Sequence, residues 1–174
     1  MRLPRRFDNA LMRAPEAGST AVDAALLGTL RTWCEAGAGP RMTEPLRVAG
    51  LVSRTGLVAA LDAVACELDG SHALARLGRW RGRLWRLQLL AQELVAGRDI
   101  QPASPWDCGW WREGPPGPAA AFSPRRPTLL MLHEPDAAAL AALLAMLRAR
   151  SPGYARPLRV LVVSAALPID LPRL

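Results

Sequence analysis

The chain has 174 residues, 51% of them hydrophobic, and carries a net charge of +7 without a single lysine. This size and apolar content predict one α/β domain with a real core. The missing lysine excludes Schiff-base catalysis, a lysine general base and a phosphate-binding lysine, whereas arginine can still pair with phosphate or carboxylate. A GC-rich genome explains the arginine-rich composition, and the positive charge favours an acidic partner, either nucleic acid or protein.

The residue pattern predicts neither a membrane segment nor a metal centre. No apolar run approaches the ~18 residues needed to cross a bilayer, and the first residues lack the apolar core of a secretory signal. We therefore expect a soluble, cytoplasmic protein with no membrane contact. Cys34, Cys66 and Cys108 are widely spaced and form no CxxC pair. This spacing, with His72 and His133 far apart in sequence, predicts buried free thiols rather than disulfides or a zinc site.

The first quarter of the chain predicts an arm followed by one helix. Residues 1–20 mix Arg, Pro, Gly and Ser and predict a loosely ordered arm, whereas residues 21–33 carry leucines at helical spacing. We therefore assign residues 1–45 to an N-terminal arm and helix, and residues 46–174 to an α/β domain.

The next elements alternate between strand and helix patterns. Residues 45–52 predict a buried strand, and residues 57–68 predict a helix that the following Asp-Gly pair closes. Residues 72–97 are ambiguous because their start also fits a short strand, but residues 83–95 indicate a helix. This order of elements is typical of an α/β fold.

A proline- and glycine-rich stretch at residues 102–118 predicts a long loop with one short apolar element. That element contains Trp106, Trp110 and Trp111. Large rings are hard to bury within such a loop, so we expect the loop to pack onto the edge of the sheet. Insertion of the rings into a partner's groove is the alternative.

The last third has the clearest pattern, a strand, a helix and a second strand. Residues 128–132 form an apolar run, Asp136 can cap a helix with leucines along one face, and residues 158–164 form a second apolar run that ends in Ser164. Two such runs joined by a helix predict parallel, buried strands with a right-handed crossover.

This apolar strand with an acidic residue at its end, followed by a crossover helix and a strand ending in Ser, resembles the second half of a P-loop NTPase core. The stretch PRRPTLLMLHEPDAAALAALLAML…PLRVLVVS is similar to the corresponding region of the STAND and AAA+ ATPases. The resemblance puts His133 at the metal-holding Walker B position, Glu134 beside it and Ser164 at the sensor position. It implies an α/β fold with a three-layer parallel-sheet core of P-loop NTPase type, preceded by a helical N-terminal segment.

The same resemblance requires an upstream loop of the form GxxxxGK[ST], and two registers are open. The first register begins at Gly50 and has Gly56 and Leu57 where Lys and Ser or Thr belong. The residues that lead into this loop show the clearer strand pattern of the two registers.

The second register begins at Gly78 and has Leu84 and Trp85 at the Lys and Ser/Thr positions. We favour it because residues 51–61 then resemble the short Gly-Arg-Glu box that precedes the nucleotide domain in many of these ATPases. The candidates for a degenerate nucleotide site are therefore Gly78, Gly82, Arg83, His133, Glu134 and Ser164.

Both parts of the nucleotide site, the phosphate loop and the Walker B position, depart from the family pattern. The phosphate loop lacks its lysine and hydroxyl in either register, and a neutral His133 does not supply the oxygen ligand that magnesium prefers. The resemblance therefore implies a core that has lost nucleotide hydrolysis, with no catalytic residue, no metal and no cofactor. The alternative is an ordinary buried strand whose terminal His133 and Glu134 reach solvent and cap neighbouring groups.

Arginines and tryptophans alternate between residues 76 and 86. On one helix the arginines would share a face beside an apolar stripe, which suits a phosphate backbone or an acidic partner, and the tryptophans could stack on bases. A solvated basic face with buried tryptophans is the simpler interpretation, because Gly78 and Gly82 interrupt the helix. The members of this cluster are Arg76, Arg79, Trp80, Arg81, Arg83, Trp85 and Arg86.

The sequence as a whole predicts a non-catalytic, pseudo-ATPase-like subunit that binds a protein partner within a larger assembly. An intact NTPase subunit is one candidate for that partner. Two alternatives stay open: DNA or RNA binding through the arginine and tryptophan cluster, and residual nucleotide binding without hydrolysis.

Overall fold

The computed structural model describes residues 11–16, 18, 20–38, 42–72, 105–112, 122–124 and 126–174. Within these residues the chain has an α/β fold with a five-stranded mixed sheet and three α-helices. The elements are β1 (Met12–Arg13), α1 (Ala24–Glu35), β2 (Leu46–Val52), α2 (Leu57–Leu68), β3 (Asp107–Trp111), β4 (Thr128–His133), α3 (Ala137–Arg150), a 3-10 turn (Ser151–Gly153) and β5 (Leu158–Ser164).

The strands lie in the order β1-β3-β4-β5-β2. Strands β3, β4, β5 and β2 are parallel, and the short β1 runs antiparallel to β3. Leu158 of β5 lies opposite Thr128 of β4 on one side and Leu46 of β2 on the other. The predicted pair of buried, parallel strands at residues 128–132 and 158–164 is thereby confirmed, and the carboxyl ends of four strands meet at one edge.

Helices cover both faces of the sheet because the inner strands are apolar on both sides. One face packs against α3 through Leu130, Leu132, Val160 and Val162. The opposite face packs against α1 and α2 through Leu129, Met131, Leu161 and Val163. Neighbouring residues along a strand point to opposite faces, so each inner strand contributes side chains to both cores.

Two aspartates fix where helices begin. Asp136 accepts a hydrogen bond from the Ala139 N–H at 3.0 Å, so its predicted capping role is confirmed. Asp23 accepts from the N–H groups of Ala25 and Leu26, so α1 begins at Ala24 rather than at residue 21. The predicted helix at residues 57–68 has the bounds that α2 shows.

The tryptophan-rich segment is a strand of the sheet, so the prediction of a loop packed onto its edge is wrong. Strand β3 lies between β1 and β4, and Trp106 and Trp110 are both 3% exposed. Asp107 and Gly109 interrupt its apolar pattern: Asp107 pairs with the buried Arg126 at 3.6 Å, and Gly109 lies against the backbone of β1. Local composition therefore did not indicate this strand, because the strands that pair with it, β1 and β4, lie elsewhere in the sequence.

Strand β1 also departs from the prediction, which placed it in a loosely ordered arm. Met12 lies opposite Trp111 and Arg13 opposite Trp110. A Cβ on Gly109 would lie 2.8 Å from the Arg13 carbonyl oxygen, so glycine allows this close approach. Met12 is 1% exposed, and its burial ties this segment to the sheet.

A fully buried arginine joins α1 to the sheet. Arg159, on β5, is 0% exposed, and its guanidinium donates to the carbonyl oxygens of Cys34 at 2.9 Å and Ala36 at 2.8 Å, at the carboxyl end of α1. The same group donates to the carbonyls of Glu44 and Leu158. Burial lowers the pKa of Arg159 to about 10, which leaves it charged at neutral pH, as a helix carboxyl end favours.

The three cysteines are buried thiols, as predicted. Burial raises the pKa of the Cys34 thiol to about 12. This thiol is therefore protonated at neutral pH and packs as a small apolar group.

Candidate functional site

The candidate site lies where β2, β5 and β4 end side by side. The Ser53 N–H, just after β2, donates to the Ser164 carbonyl oxygen at 2.9 Å, and the Glu134 N–H, just after β4, donates to the Val163 carbonyl oxygen at 2.8 Å. Open parallel sheets commonly bind ligands at this edge. Glu134 and Ser164, which the sequence placed in one site, are indeed brought together here.

Both oxygens of the Glu134 carboxylate accept hydrogen bonds from other groups of the chain. One oxygen accepts a hydrogen bond from the Ser164 hydroxyl at 2.7 Å, and the other accepts from the Ala165 N–H at 2.9 Å. Glu134 is also the one non-glycine residue in the described part of the chain with a positive φ, 43°. A side chain in this region costs backbone energy, so the carboxylate bonds hold an otherwise unfavourable turn.

These bonds lower the pKa of the Glu134 carboxyl below its ordinary value. The Ser164 hydroxyl has the largest effect and the Ala165 N–H follows; both outweigh the opposing effect of desolvation. A hydrogen bond from the Ser53 side chain and the charge of His133 act in the same direction as the first two. The carboxylate therefore stabilises the ends of three strands in its ionised form.

Replacing Glu134 by glutamine is expected to lower the melting temperature at neutral pH. The folded-state pKa lies below the ordinary value of 4.5, so the stabilisation is fully present above pH 4.5 and is lost as the pH falls through the folded-state value. The melting temperatures of the two proteins should thus differ at about pH 7, and the difference should shrink as the pH falls below 4.5, as thermal unfolding across this range would measure. A difference that stays constant into acid would contradict this account.

His133 lies at the same edge but faces a tryptophan. Its ring meets the ring of Trp110 edge to face, with centroids 6.2 Å apart and planes at 83°. Trp110 in turn donates its indole N–H to the buried carboxylate of Asp62 on α2 at 2.7 Å. Asp62 is not among the residues predicted for the site, although a carboxylate within an otherwise apolar helix pattern indicates a residue that needs a buried hydrogen-bond donor.

A small apolar cleft adjoins His133. Its volume is about 50 Å³, and it is lined by Trp111, Leu132, His133, Pro135, Ala139, Leu140 and Leu143. Sites for small molecules and cofactors usually have volumes of several hundred Å³. The cleft therefore has room for one small side chain and not for a nucleotide.

The turn from β2 to α2 is short and closed. It comprises residues 53–56, and the Leu57 N–H donates to the Arg54 carbonyl oxygen at 3.0 Å. Gly56 adopts a φ of 81° directly before the helix. Gly50, the first glycine of the first register, lies inside β2, where its N–H donates to the Pro172 carbonyl oxygen. Its N–H is therefore directed at protein and not at a phosphate.

The remaining predicted residues lie outside the part of the chain that the structure describes. They are Gly78 and Gly82 of the second register, together with the cluster Arg76, Arg79, Trp80, Arg81, Arg83, Trp85 and Arg86. Within the described ranges, no three His, Cys, Asp or Glu side chains form a group that could hold a metal ion. In those ranges, no helix has both the length and the apolar character needed to cross a membrane.

Comparison with protein-family models, with curated proteins and with solved structures gives no match for this chain.

Proposed function

We propose that the chain is a non-catalytic subunit of P-loop NTPase-like architecture that binds an acidic protein partner, as a regulatory or scaffolding component of a larger assembly. The observation that carries this proposal is the state of Glu134. Its carboxylate, the acidic group at the end of β4, is bound by Ser164 and Ala165. A carboxylate that already accepts a structural hydrogen bond on each oxygen would have to share or give up these bonds to bind magnesium.

The arrangement of strands supports the NTPase-like part of the proposal. The resemblance assigns the former phosphate loop, the sensor residue and the Walker B residue to successive ends of parallel strands. Strands β2, β5 and β4 are adjacent and parallel, and they end together. This position of β2 favours the first register, in which Gly50 and Gly56 flank the former loop.

The turn after β2 supports the loss of nucleotide chemistry. A phosphate loop presents several backbone N–H groups to its ligand and adds a lysine and a hydroxyl. Here Gly50 is bound within the sheet, the turn at residues 53–56 closes on itself, and Leu57 follows directly. Neither the loop shape nor the side chains suit a triphosphate.

The outward face of α3 supports binding of a protein. Surface helices normally carry charged residues on the side that faces solvent. On α3 the exposed residues before the last turn are all alanines, namely Ala137, Ala138, Ala139, Ala141, Ala142 and Ala145. A flat face of small side chains lets another element approach closely.

The charge beside this face indicates an acidic partner. Arg148 and Arg150 lie exposed in the last turn of α3, and the chain as a whole carries +7. Charges of this kind at the rim of an apolar face steer and orient an oppositely charged partner. An acidic protein that presents an apolar helix or strand therefore fits both features.

Replacing Ala142 by glutamate tests the partner-binding proposal. The change puts a negative charge at the centre of the α3 face without altering the core, so the fold should keep its melting temperature while partner binding is lost. Tagged wild-type protein and the variant would be expressed in their native cells, and the proteins retained by each would be compared. A protein captured by the wild type and lost in the variant is the expected result.

Ala24→Glu is the matched control, because Ala24 is exposed at the start of α1, away from α3. This variant should retain the same partner as the wild type. Equal capture by all three proteins would contradict a binding site on α3, and a captured species that is DNA or RNA would replace the protein partner.

A further inference from the structure

The segment after β5, residues 165–174, returns along the outer side of β2. The Gly50 N–H donates to the Pro172 carbonyl oxygen at 2.8 Å, and the Leu174 N–H donates to the Gly50 carbonyl oxygen at 3.1 Å. These two bonds form a parallel bridge between Gly50 and Arg173. The segment, which we call the strap, therefore occupies the pairing position on the outer edge of β2 at Gly50.

Two leucines anchor the strap. Leu171 is 6% exposed and belongs to the apolar core that α3 covers. Leu167 packs directly over Gly50, where a Cβ would lie 2.8 Å from the leucine methyl groups. Glycine at position 50 therefore allows this close contact, since a larger residue would displace the Leu167 side chain.

The first residue of the strap is held by the Glu134 carboxylate. Glu134 accepts from the Ala165 N–H, the first residue of the strap, and from the Ser164 hydroxyl. The same hydroxyl oxygen lies 3.3 Å from the Ala166 nitrogen and 3.3 Å from the Ala166 carbonyl oxygen. The Glu134 side chain, just after β4, therefore sets the direction in which the chain leaves β5.

The edge beside the strap is also where the described chain exposes its large apolar residues. Val52, at the end of β2, is 52% exposed, and Ile169, at the turn of the strap, is fully exposed. No other large hydrophobic residue in the described ranges is exposed to this degree. An edge strand with free backbone groups and apolar side chains pairs readily with other strands, and proteins usually cover such edges.

We propose that residues 165–174 form a strap that the Glu134 carboxylate holds over the edge of β2, and that breaking this latch releases the strap from Gly50. The positive φ of Glu134 fits this role, because loss of the two carboxylate hydrogen bonds would let this unfavourable backbone turn relax. Any strand that pairs with β2 at Gly50 has to displace the strap first. This latch does not involve the α3 face.

Amide hydrogen exchange measured by NMR tests the latch. The variant Glu134→Gly removes the carboxylate and also tolerates the positive φ, so it separates the latch from backbone strain. The expected result is that the Gly50 and Leu174 amides exchange about tenfold or more faster, as the loss of charge-assisted hydrogen bonds predicts. Amides of Val160 and Val162 inside the sheet should keep their protection.

Ser164→Ala is the second variant, since it removes one of the two carboxylate bonds and leaves Glu134 in place. It should accelerate the same two amides to a smaller degree. Unchanged exchange at Gly50 and Leu174 in both variants would overturn the proposal. Equal acceleration of the strap and of the inner strands would overturn it as well, because it would indicate general loosening of the fold.

Discussion

Replacing Arg159 by methionine is expected to lower the free energy of unfolding by about 3 kcal/mol or more. Methionine has a similar length, but it donates no hydrogen bonds. The carbonyl oxygens of Cys34 and Ala36 at the end of α1, and that of Glu44, would lose a charged donor. These acceptors belong to the backbone and stay in place, so a hydrophobic replacement leaves their hydrogen bonding unsatisfied. Urea unfolding of the wild type and variant would measure the loss.

Arg47→Met is the matched control for this experiment. Arg47 lies opposite Arg159 on β2 and also donates to carbonyls of α1, at 3.2 Å to Trp33 and 3.5 Å to Ala36. Its side chain is 31% exposed, and it pairs with Glu44 at the surface. Its removal should cost about 1 kcal/mol or less. Equal losses for the two variants would contradict the assignment of Arg159 as the link between α1 and the sheet.

Replacing Trp110 by phenylalanine is expected to lower the free energy of unfolding by about 2–3 kcal/mol. The change removes the indole N–H that donates to Asp62 at 2.7 Å and leaves a carboxylate that is 7% exposed without this donor. It also shrinks a ring that packs between α2 and the sheet. Denaturant unfolding would measure the effect.

The double variant Trp110→Phe with Asp62→Leu separates the hydrogen bond from the packing. If the bond is responsible, replacing Asp62 as well should recover part of the loss, with a coupling energy of about 1–2 kcal/mol in the double-mutant cycle. Additive losses would show that ring volume accounts for the effect and that Asp62 finds water instead.

The sequence predicted those elements whose local pattern and tertiary environment agree. Helix α2 and strand β5 were found with their bounds because each is apolar on the faces that the fold buries. Strand β3 was missed because a strand that contains Asp107 and Gly109 looks like a loop until Arg126 and β1 are placed against it. Such contacts join residues far apart in sequence, where periodicity gives no information.

The same distinction applies to the candidate site. Glu134 and Ser164 could be placed together because each follows an apolar strand, and parallel strands end at one edge. Their hydrogen bond could not be predicted, since it depends on the positive φ of Glu134 and on the turn at Ala165. The role of Arg159 could not be predicted either, because the carbonyls at the end of α1 that it binds lie more than a hundred residues away in sequence.

Thermal unfolding with and without ATP and magnesium tests the central proposal, a closed NTPase-like edge, most directly. A ligand that binds only the folded state must stabilise it, by about 2.7 kcal/mol when its concentration is a hundred times its dissociation constant. We expect the melting temperature to be the same with ATP and magnesium, with ATP alone and with neither. A rise that requires ATP and magnesium together, and that Glu134→Gln abolishes, would contradict the proposal and make this edge a working nucleotide site.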